Sequence, residues 1–336
     1  MLVTLRNTVC TTLVIFLAAC STAFAEAQTV RVSRGYGITH LPLYVIEHEK
    51  LFEKHAKAAG LGDITVTWRE LDGGGNLNDA MIAGTLDIAS VGIPAFLTLW
   101  SKARGTPNEV IGVGAVCGVP FHLNTNNPQI QSMKDIAPSD RIALPGIKVS
   151  LGAVVLQMMV AKEFGEENYA RLDPMTVTML HPDAFAAVMS GTPGVSFHMA
   201  SPPFAQIELK NDKIRSIANS REALGDASLM TTYAPKRFTD ANPKLVGAFI
   251  AALDEANAFI AEKLDATAAL YVKAAKVKAP EAEMRDIIAD KDNSFSTVPS
   301  GTMKFADFMH RVGSIKTKPA DWKELYVPQL HGRTGS

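Results

Sequence analysis

Cysteine is almost missing from the part of this chain that can fold. Two of its three cysteines, Cys10 and Cys20, lie in an N-terminal stretch with the marks of an export signal. That leaves Cys117 alone and excludes an internal disulfide. Cys117 stands in the apolar run Val116-Cys117-Gly118-Val119 and is expected to be a buried small hydrophobe. An excess of either charge is also missing. Lysine and arginine total 33 against 34 aspartates and glutamates, a net charge of −1 with no block of one sign. The basic stripe of a nucleic-acid partner is therefore excluded. No Ser/His/Asp set, HExxH or Cys/His metal spacing occurs, so neither catalysis, a metal nor a cofactor is expected. His48 and His55, seven apart on one helical segment, are too far apart to share an ion.

What is present is ordinary globular composition, 47% apolar and 20% charged, in 336 residues, enough for two lobes with their own cores. Arg6 precedes a charge-free stretch, Asn7 to Ala25, that ends Ala23-Phe24-Ala25. This is the layout of a secretory signal peptide over residues 1–25, so a periplasmic location is expected. The stretch is too short and too often interrupted by hydroxyl residues for a spanning helix. A second processing site competes with cleavage after Ala25. Leu17-Ala18-Ala19-Cys20 resembles a lipobox, which would lipidate Cys20 and tether the protein to a membrane.

The remaining chain alternates β-rich and helical segments, as in an α/β fold. Thr29–Ser33, Ile64–Trp68, Leu86–Val91, Arg141–Leu144, Thr176–Leu180 and Val195–Met199 read as strands, and Val110–Val116 is an apolar run. Leu41–Ala59 reads as helix broken near Lys50, with Gly60 as its stop. Helices are also expected over Asp79–Ala83, capped by Asn76 or Asn78, over Val149–Phe164 and over Pro182–Met189. Asn242-Pro243 is a helix start, followed by the core stripe Leu245, Phe249, Leu253, Ala256, Ile260 and Leu264. The run Gly73–Gly75 lacks the G-K-[ST] ending of a phosphate loop and reads as a mobile connection.

One short construction is written twice. Ala80-Met81-Ile82-Ala83-Gly84-Thr85 lies over Ala187-Val188-Met189-Ser190-Gly191-Thr192, and each leads through a strand to a small or proline-rich corner. These corners are Gly92-Ile93-Pro94 and Ala200-Ser201-Pro202-Pro203. Corners at the carboxyl ends of parallel strands are where open α/β sheets bind ligands. Two such halves would face each other across a cleft.

"HLPLYVIEHEKLFEKH", "AMIAGTLDIASVGIPAFLTLW", "RIALPGIKVSLGAVVLQMMVAKEFG", "SFHMASPPFAQIEL" and the closing "DWKELYVPQLHG" together resemble the substrate-binding proteins of nitrate/sulfonate/taurine-type ABC importers. The resemblance runs through essentially the whole exported chain. It implies a two-lobed α/β periplasmic-binding fold, each lobe a mainly parallel sheet flanked by helices, with a hinge and a central cleft. Lobe 1 would comprise residues 29–118 and 230–336, and lobe 2 residues 119–229, with crossings near Gly118–Phe121 and Leu229–Tyr233. The implied protein is a monomer that closes on a small-molecule ligand and docks on a membrane permease driven by an ATPase.

Carried over by position, the ligand would be lined by Tyr36, Gly37 and His40, by Gly92, Ile93 and Pro94, by Lys148, Val149 and Ser150, and by Ala200, Ser201 and Pro202. The most physical of these is the helix start near Gly146, whose free N–H groups and dipole favour an anionic group. Lys148 and Ser150 either reinforce it or are respectively solvated and a plain cap. His40 either donates to an anion or satisfies its own helix end, and Tyr36 stacks on ligand or covers core. His198 reads as a satisfied interior histidine, and Trp68 and Trp100 as packing in lobe 1. The expected ligand is a small organic anion of sulfonate or carboxylate type. The apolar second corner disfavours a hard anion such as nitrate and leaves room for a larger or aromatic one. A sensory receptor has the same cleft and export. A thiamine-pyrimidine synthase-like enzyme shares the fold, but its iron-binding cysteine cluster is absent.

Overall fold

The computed structural model describes residues 26–148 and 150–336; the expected export signal, with Cys10 and Cys20, and Val149 lie outside the described residues. In chain order the strands are β1 (Thr29–Arg34), β2 (Thr65–Glu70), β3 (Ile88–Gly92), β4 (Val110–Gly118), β5 (His122–Thr125), β6 (Ile142–Leu144), β7 (Thr176–Thr178), β8 (Phe197–Ala200), β9 (Arg215–Asn219), β10 (Met230–Pro235) and β11 (Ser294–Phe295). They form two sheets, ordered β11-β4-β10-β3-β1-β2 and β7-β6-β8-β5-β9.

The two sheets repeat one plan. β1 runs parallel to β2 and β3, and β6 runs parallel to β7 and β8. In each, the next strand inward is antiparallel: β10 beside β3, and β5 beside β8. The chain enters the second sheet at β5 and comes back to the first at β10. The sheets expected to be mainly parallel are thus mixed, because each crossing strand arrives from the other lobe in the opposite direction. The return connection, residues 225–229, follows the short helix Ser220–Leu224. Met230 already lies in β10, three residues before the expected end of the crossing at Tyr233.

The twice-written phrase is one helix ending used twice. Thr85 N–H bonds Ala80 O at 3.0 Å and Gly84 N–H bonds Met81 O at 3.1 Å; Thr192 N–H bonds Ala187 O at 2.9 Å and Gly191 N–H bonds Val188 O at 3.3 Å. These are the paired bonds of a Schellman motif, and both glycines hold the left-handed backbone it requires, φ 66° and 69°. Each motif turns its chain out of a helix and into the next strand, β3 or β8.

Helix boundaries follow the sequence with two exceptions. The break near Lys50 is there, between Leu41–Glu49 and Leu51–Ala58. Gly73–Gly75, expected as a mobile connection, instead opens the helix Gly74–Ile82, with Gly73 at its N-cap. Asn242 precedes the helix Pro243–Glu262 without capping it through its side chain. Its Oδ1 accepts from Ala27 N–H at 2.7 Å and its amide donates to Phe238 O at 2.8 Å, which ties down the start of the described chain. The stripe from Leu245 to Ile260 is buried, and Leu264 falls beyond it as the first residue of a separate helix, Leu264–Ala274. Trp100 is buried and Trp68 packs half-buried against the same core. Cys117 is buried as expected, its Sγ donating to Thr39 O at 3.2 Å, and burial raises its thiol pKa well above the ordinary value.

At the crossings the backbone is packed as tightly as it can be. A Cβ on Gly118 would stand 2.4 Å from Ala227 O, on the returning connection, and 2.7 Å from Ser294 Oγ. Gly118→Ala is expected to destabilise the fold by about 1–3 kcal/mol through this overpacking. A lower midpoint of urea unfolding checks it; an unchanged midpoint would mean the crossing can give way.

Candidate ligand cleft

The cleft lies between the sheets at the carboxyl ends of their parallel strands. After β1 come Tyr36, Thr39 and His40; after β2, Asp72 and Gly73; at the end of β3, Ser90, Val91 and Gly92. The other wall is Pro145, Ser150, Leu151 and Gly152 after β6, and His181 after β7, with Phe121 and Met230 from the two crossings. The lobes are closed against each other. Ile38 N–H donates to Pro202 O at 3.2 Å, a backbone bond from one lobe to the other. A Cβ on Gly92 would stand 2.6 Å from the Leu151 Cβ. The centre of a water-sized sphere can explore about 50 Å³ inside, against roughly 10–15 Å³ for one water. The cleft as it stands has room for a few waters or one small solute.

Of the residues expected at the ligand, the structure brings Tyr36, His40, Gly92 and Ser150 to the cleft wall. Gly37, Ala200, Ser201 and Pro202 do not line it. They are buried at the seam, where a Cβ on Gly37 would be 2.8 Å from Pro202 O. Ile93 and Pro94 are buried behind Gly92, and Ile93 N–H donates to Leu229 O at 3.0 Å. Lys148 is exposed and outside the cleft, and Val149 lies outside the described residues. Sequence reasoning missed Asp72, Ser90 and His181. Asp72 was hidden beside a glycine run read as a linker, and His181 sat one residue before the expected helix start.

The helix Leu151–Phe164 begins at the wall. Ser150 is its N-cap, with Oγ accepting from Ala153 N–H at 3.2 Å, so the plain-cap reading holds for the serine. Leu151 and Gly152, first-turn residues whose N–H groups have no intrahelical acceptor, line the cleft. Opposite, Ser90 Oγ and His40 Nδ1 are buried with no hydrogen-bond partner. Burial, reinforced by Arg34 and His181, pushes His40 down to about 3. His40 is thus neutral at ordinary pH. Asp72 accepts from Gly73 N–H at 2.7 Å, and burial raises its carboxyl. Among the described residues no lysine or arginine lines the cleft. Arg34 lies beneath, committed to Glu47 at 2.6 Å and Glu70 at 2.9 Å. The polar part of the cleft wall consists of neutral groups and one acid among the described residues.

No family model matches the sequence and no curated protein matches it. Solved structures do. The alkanesulfonate-binding protein SsuA of Xanthomonas axonopodis pv. citri, bound to MOPS, is 18% identical with a TM-score of 0.70, over 87% of this chain and 95% of that one. The periplasmic nitrate-binding protein NrtA of Synechocystis PCC 6803 is 16% identical with a TM-score of 0.65, over 88% and 83%. A Candida albicans gene product described as having the generic periplasmic binding protein fold is 15% identical with a TM-score of 0.64, over 87% and 92%. This chain has the periplasmic binding protein fold. At these identities the likeness establishes the architecture and leaves the chemistry of the cleft to its own residues. Among the described residues no cluster of potential metal ligands occurs and no helix is long and apolar enough to cross a membrane.

Two outcomes follow from this geometry. Gly92→Ala places a methyl group where the lobes meet, so the closed form opens; small-angle scattering should give a larger radius of gyration than wild type, and an identical radius would refute the steric account. For pH, His40 binds its proton in the unfolded chain near 6.5 and in the fold only near 3. Stability should therefore fall as pH drops below about 6.5, where the unfolded chain takes up a proton the fold refuses. His40→Gln should make that acid limb shallower in denaturant titrations, leaving the share of His181 and His198, which burial lowers in the same direction.

Proposed function

We propose that this protein is an extracytoplasmic solute-binding protein that captures one small polar molecule between its lobes and delivers it to an ABC permease and its ATPase. The observation that carries the reading is the closed cleft itself. Ser90 and His40, whose Oγ and Nδ1 are buried without a partner, line a space of solute size together with the first-turn residues Leu151 and Gly152. Buried polar groups without partners are costly, and a bound solute that satisfies them returns that energy as affinity. The fold shared with sulfonate- and nitrate-binding proteins supports the same reading. No nucleophile–base pair or metal cluster in the cleft favours an enzyme, and the protein is read as an exported monomer.

The expected organic anion is narrowed by the wall chemistry. Its anionic or acceptor end, a sulfonate or carboxylate, belongs at Leu151 and Gly152, where the helix dipole substitutes for a cation. Its other end carries a donor that Asp72 accepts. A purely anionic solute would face the Asp72 carboxylate with nothing to balance it.

Native mass spectrometry of the gently purified protein, followed by a thermal-shift screen, tests this. The panel comprises nitrate, MOPS, simple alkanesulfonates, carboxylates and their amino-substituted counterparts. Amino-substituted acids should raise the melting temperature in a dose-dependent way by mass action. Asp72→Asn should abolish their advantage over the unsubstituted acids. No bound mass and no shift with any compound would overturn the solute-binding reading.

A further inference from the structure

Behind the cleft wall lies a chain of three buried titratable groups that the simple capture reading leaves idle. His181, first residue of the helix His181–Ser190, lines the cleft, and its Nδ1 is 2.8 Å from His198 Nε2 on β8. His198 Nδ1 is 2.5 Å from Glu208 Oε1, and Asn124 Nδ2 donates to Glu208 Oε2 at 2.8 Å. His198 and Glu208 are fully buried and His181 nearly so. Phe204 stacks on the His181 ring at 5.8 Å and Phe121 stands at 6.1 Å, which keeps the chain dry. His181 Nε2 is the one end of the chain with no partner among the described residues, and its ring is at the ligand space.

Each of the two internal contacts needs one proton between its atoms. If Glu208 is protonated it donates to His198 Nδ1, His198 donates through Nε2 to His181 Nδ1, and His181 carries its proton on Nε2. If the proton has moved to His198, making an ion pair with Glu208, the second contact and the Nε2 proton are unchanged. If His181 is the cation, Nε2 is again protonated. Only a chain with one uncompensated negative charge reverses the sense and leaves Nε2 bare. Among the described residues no lysine or arginine hydrogen-bonds to any of the three, and an unbalanced charge in such a site is strongly disfavoured. We propose that Glu208 and His198 are positioning residues that fix the hydrogen-bonding sense of His181, so that its Nε2 presents an N–H donor to the bound solute. The proposal rests on the solute-binding reading of the cleft and adds a side-chain donor to the wall that already carries Leu151 and Gly152.

The electrostatics agree with the neutral arrangement. Burial pushes Glu208 up to about 8 and His198 down to about 3, and lowers His181 well below the ordinary imidazole value. The helix N-terminus at His181 opposes a positive charge on its ring as well. The other titratable groups facing His181 are His40, Tyr36 and Asp72 across the cleft and Asp183 on its own helix. Of these, His40 is neutral, and Tyr36 is raised, first by desolvation and then by Glu70. Raising the pH through about 8 removes the Glu208 proton and reverses the chain, converting the Nε2 donor into an acceptor.

Ring-nitrogen NMR of ¹⁵N-histidine-labelled protein tests this without any solute, so its failure is separable from failure of the ligand screen. The His181 signals are assigned by their loss in His181→Gln. At neutral pH, His181 should be protonated on Nε2 and bare on Nδ1; protonation on Nδ1 alone overturns the proposal. Glu208→Gln can place its amide nitrogen against His198 Nδ1 while its oxygen still accepts from Asn124, so it should keep the Nε2–H pattern, including above pH 8 where wild type converts. A Glu208→Gln protein that converts alongside wild type overturns the assignment to Glu208. Glu208→Leu removes the anchor and should give a mixture of both His181 tautomers; a single unchanged Nε2–H tautomer in a folded Glu208→Leu protein also overturns it. If that variant does not fold, the Glu208→Gln comparison decides.

Discussion

The bond from Ile38 N–H to Pro202 O holds the functional geometry together, since it joins the backbones of the two lobes at the rim of the cleft. Around it, nothing larger than hydrogen fits. Gly37 meets the same carbonyl, and Gly92 meets the side chain of Leu151. Short side chains at these positions let the first-turn N–H groups of one lobe approach Ser90 and His40 of the other. A single hydrogen bond of this kind is worth only about 0.5–1.5 kcal/mol net, and other contacts also join the lobes, among them Tyr169 with Phe308 and Arg311 with Glu166. The expected site residues Gly37, Ser201 and Pro202 sit at this seam, where they set how far the lobes close.

Both walls use the same construction, the carboxyl end of a parallel strand followed by a helix start. The cleft wall is therefore made of helix starts and a few short side chains. In such a site neutral groups can hold an anionic end, because oriented N–H groups need no reorganisation when the solute arrives. In the proposed function Asp72 selects among anionic solutes. The histidines differ in role: His40 is an isolated neutral ring, whereas His181 takes its sense from groups behind it.

Much of the architecture was legible in the sequence, because it rests on local signals. The repeated A-x-x-x-G-T phrase has a physical cause in two Schellman endings, and the strands and the broken first helix follow from apolar patterning. Gly73–Gly75 misled, since glycine lowers helix propensity while tolerating the φ of 86° that Gly73 adopts at the helix N-cap. The histidine chain was illegible for another reason. Asn124, His181, His198 and Glu208 come from four elements, and only the packing of β5 and β8 with two helices brings them together. His198 was rightly read as a satisfied interior histidine, but its partners depend on tertiary placement.

The interleaved strand order also sets an order of assembly. The five strands of the second sheet span residues 122–219 without interruption, so that unit contains all it needs to pair its own backbone. The first sheet does not. Its strand β3 lacks a neighbour on one side until β10 arrives, more than a hundred residues later. A chain emerging N-terminus first therefore carries an unpaired apolar edge, Ile88–Gly92, until the second unit has been made. Completion of the N-terminal unit waits on the middle of the chain, and the interval in which that edge stands open is when this protein is most exposed to aggregation.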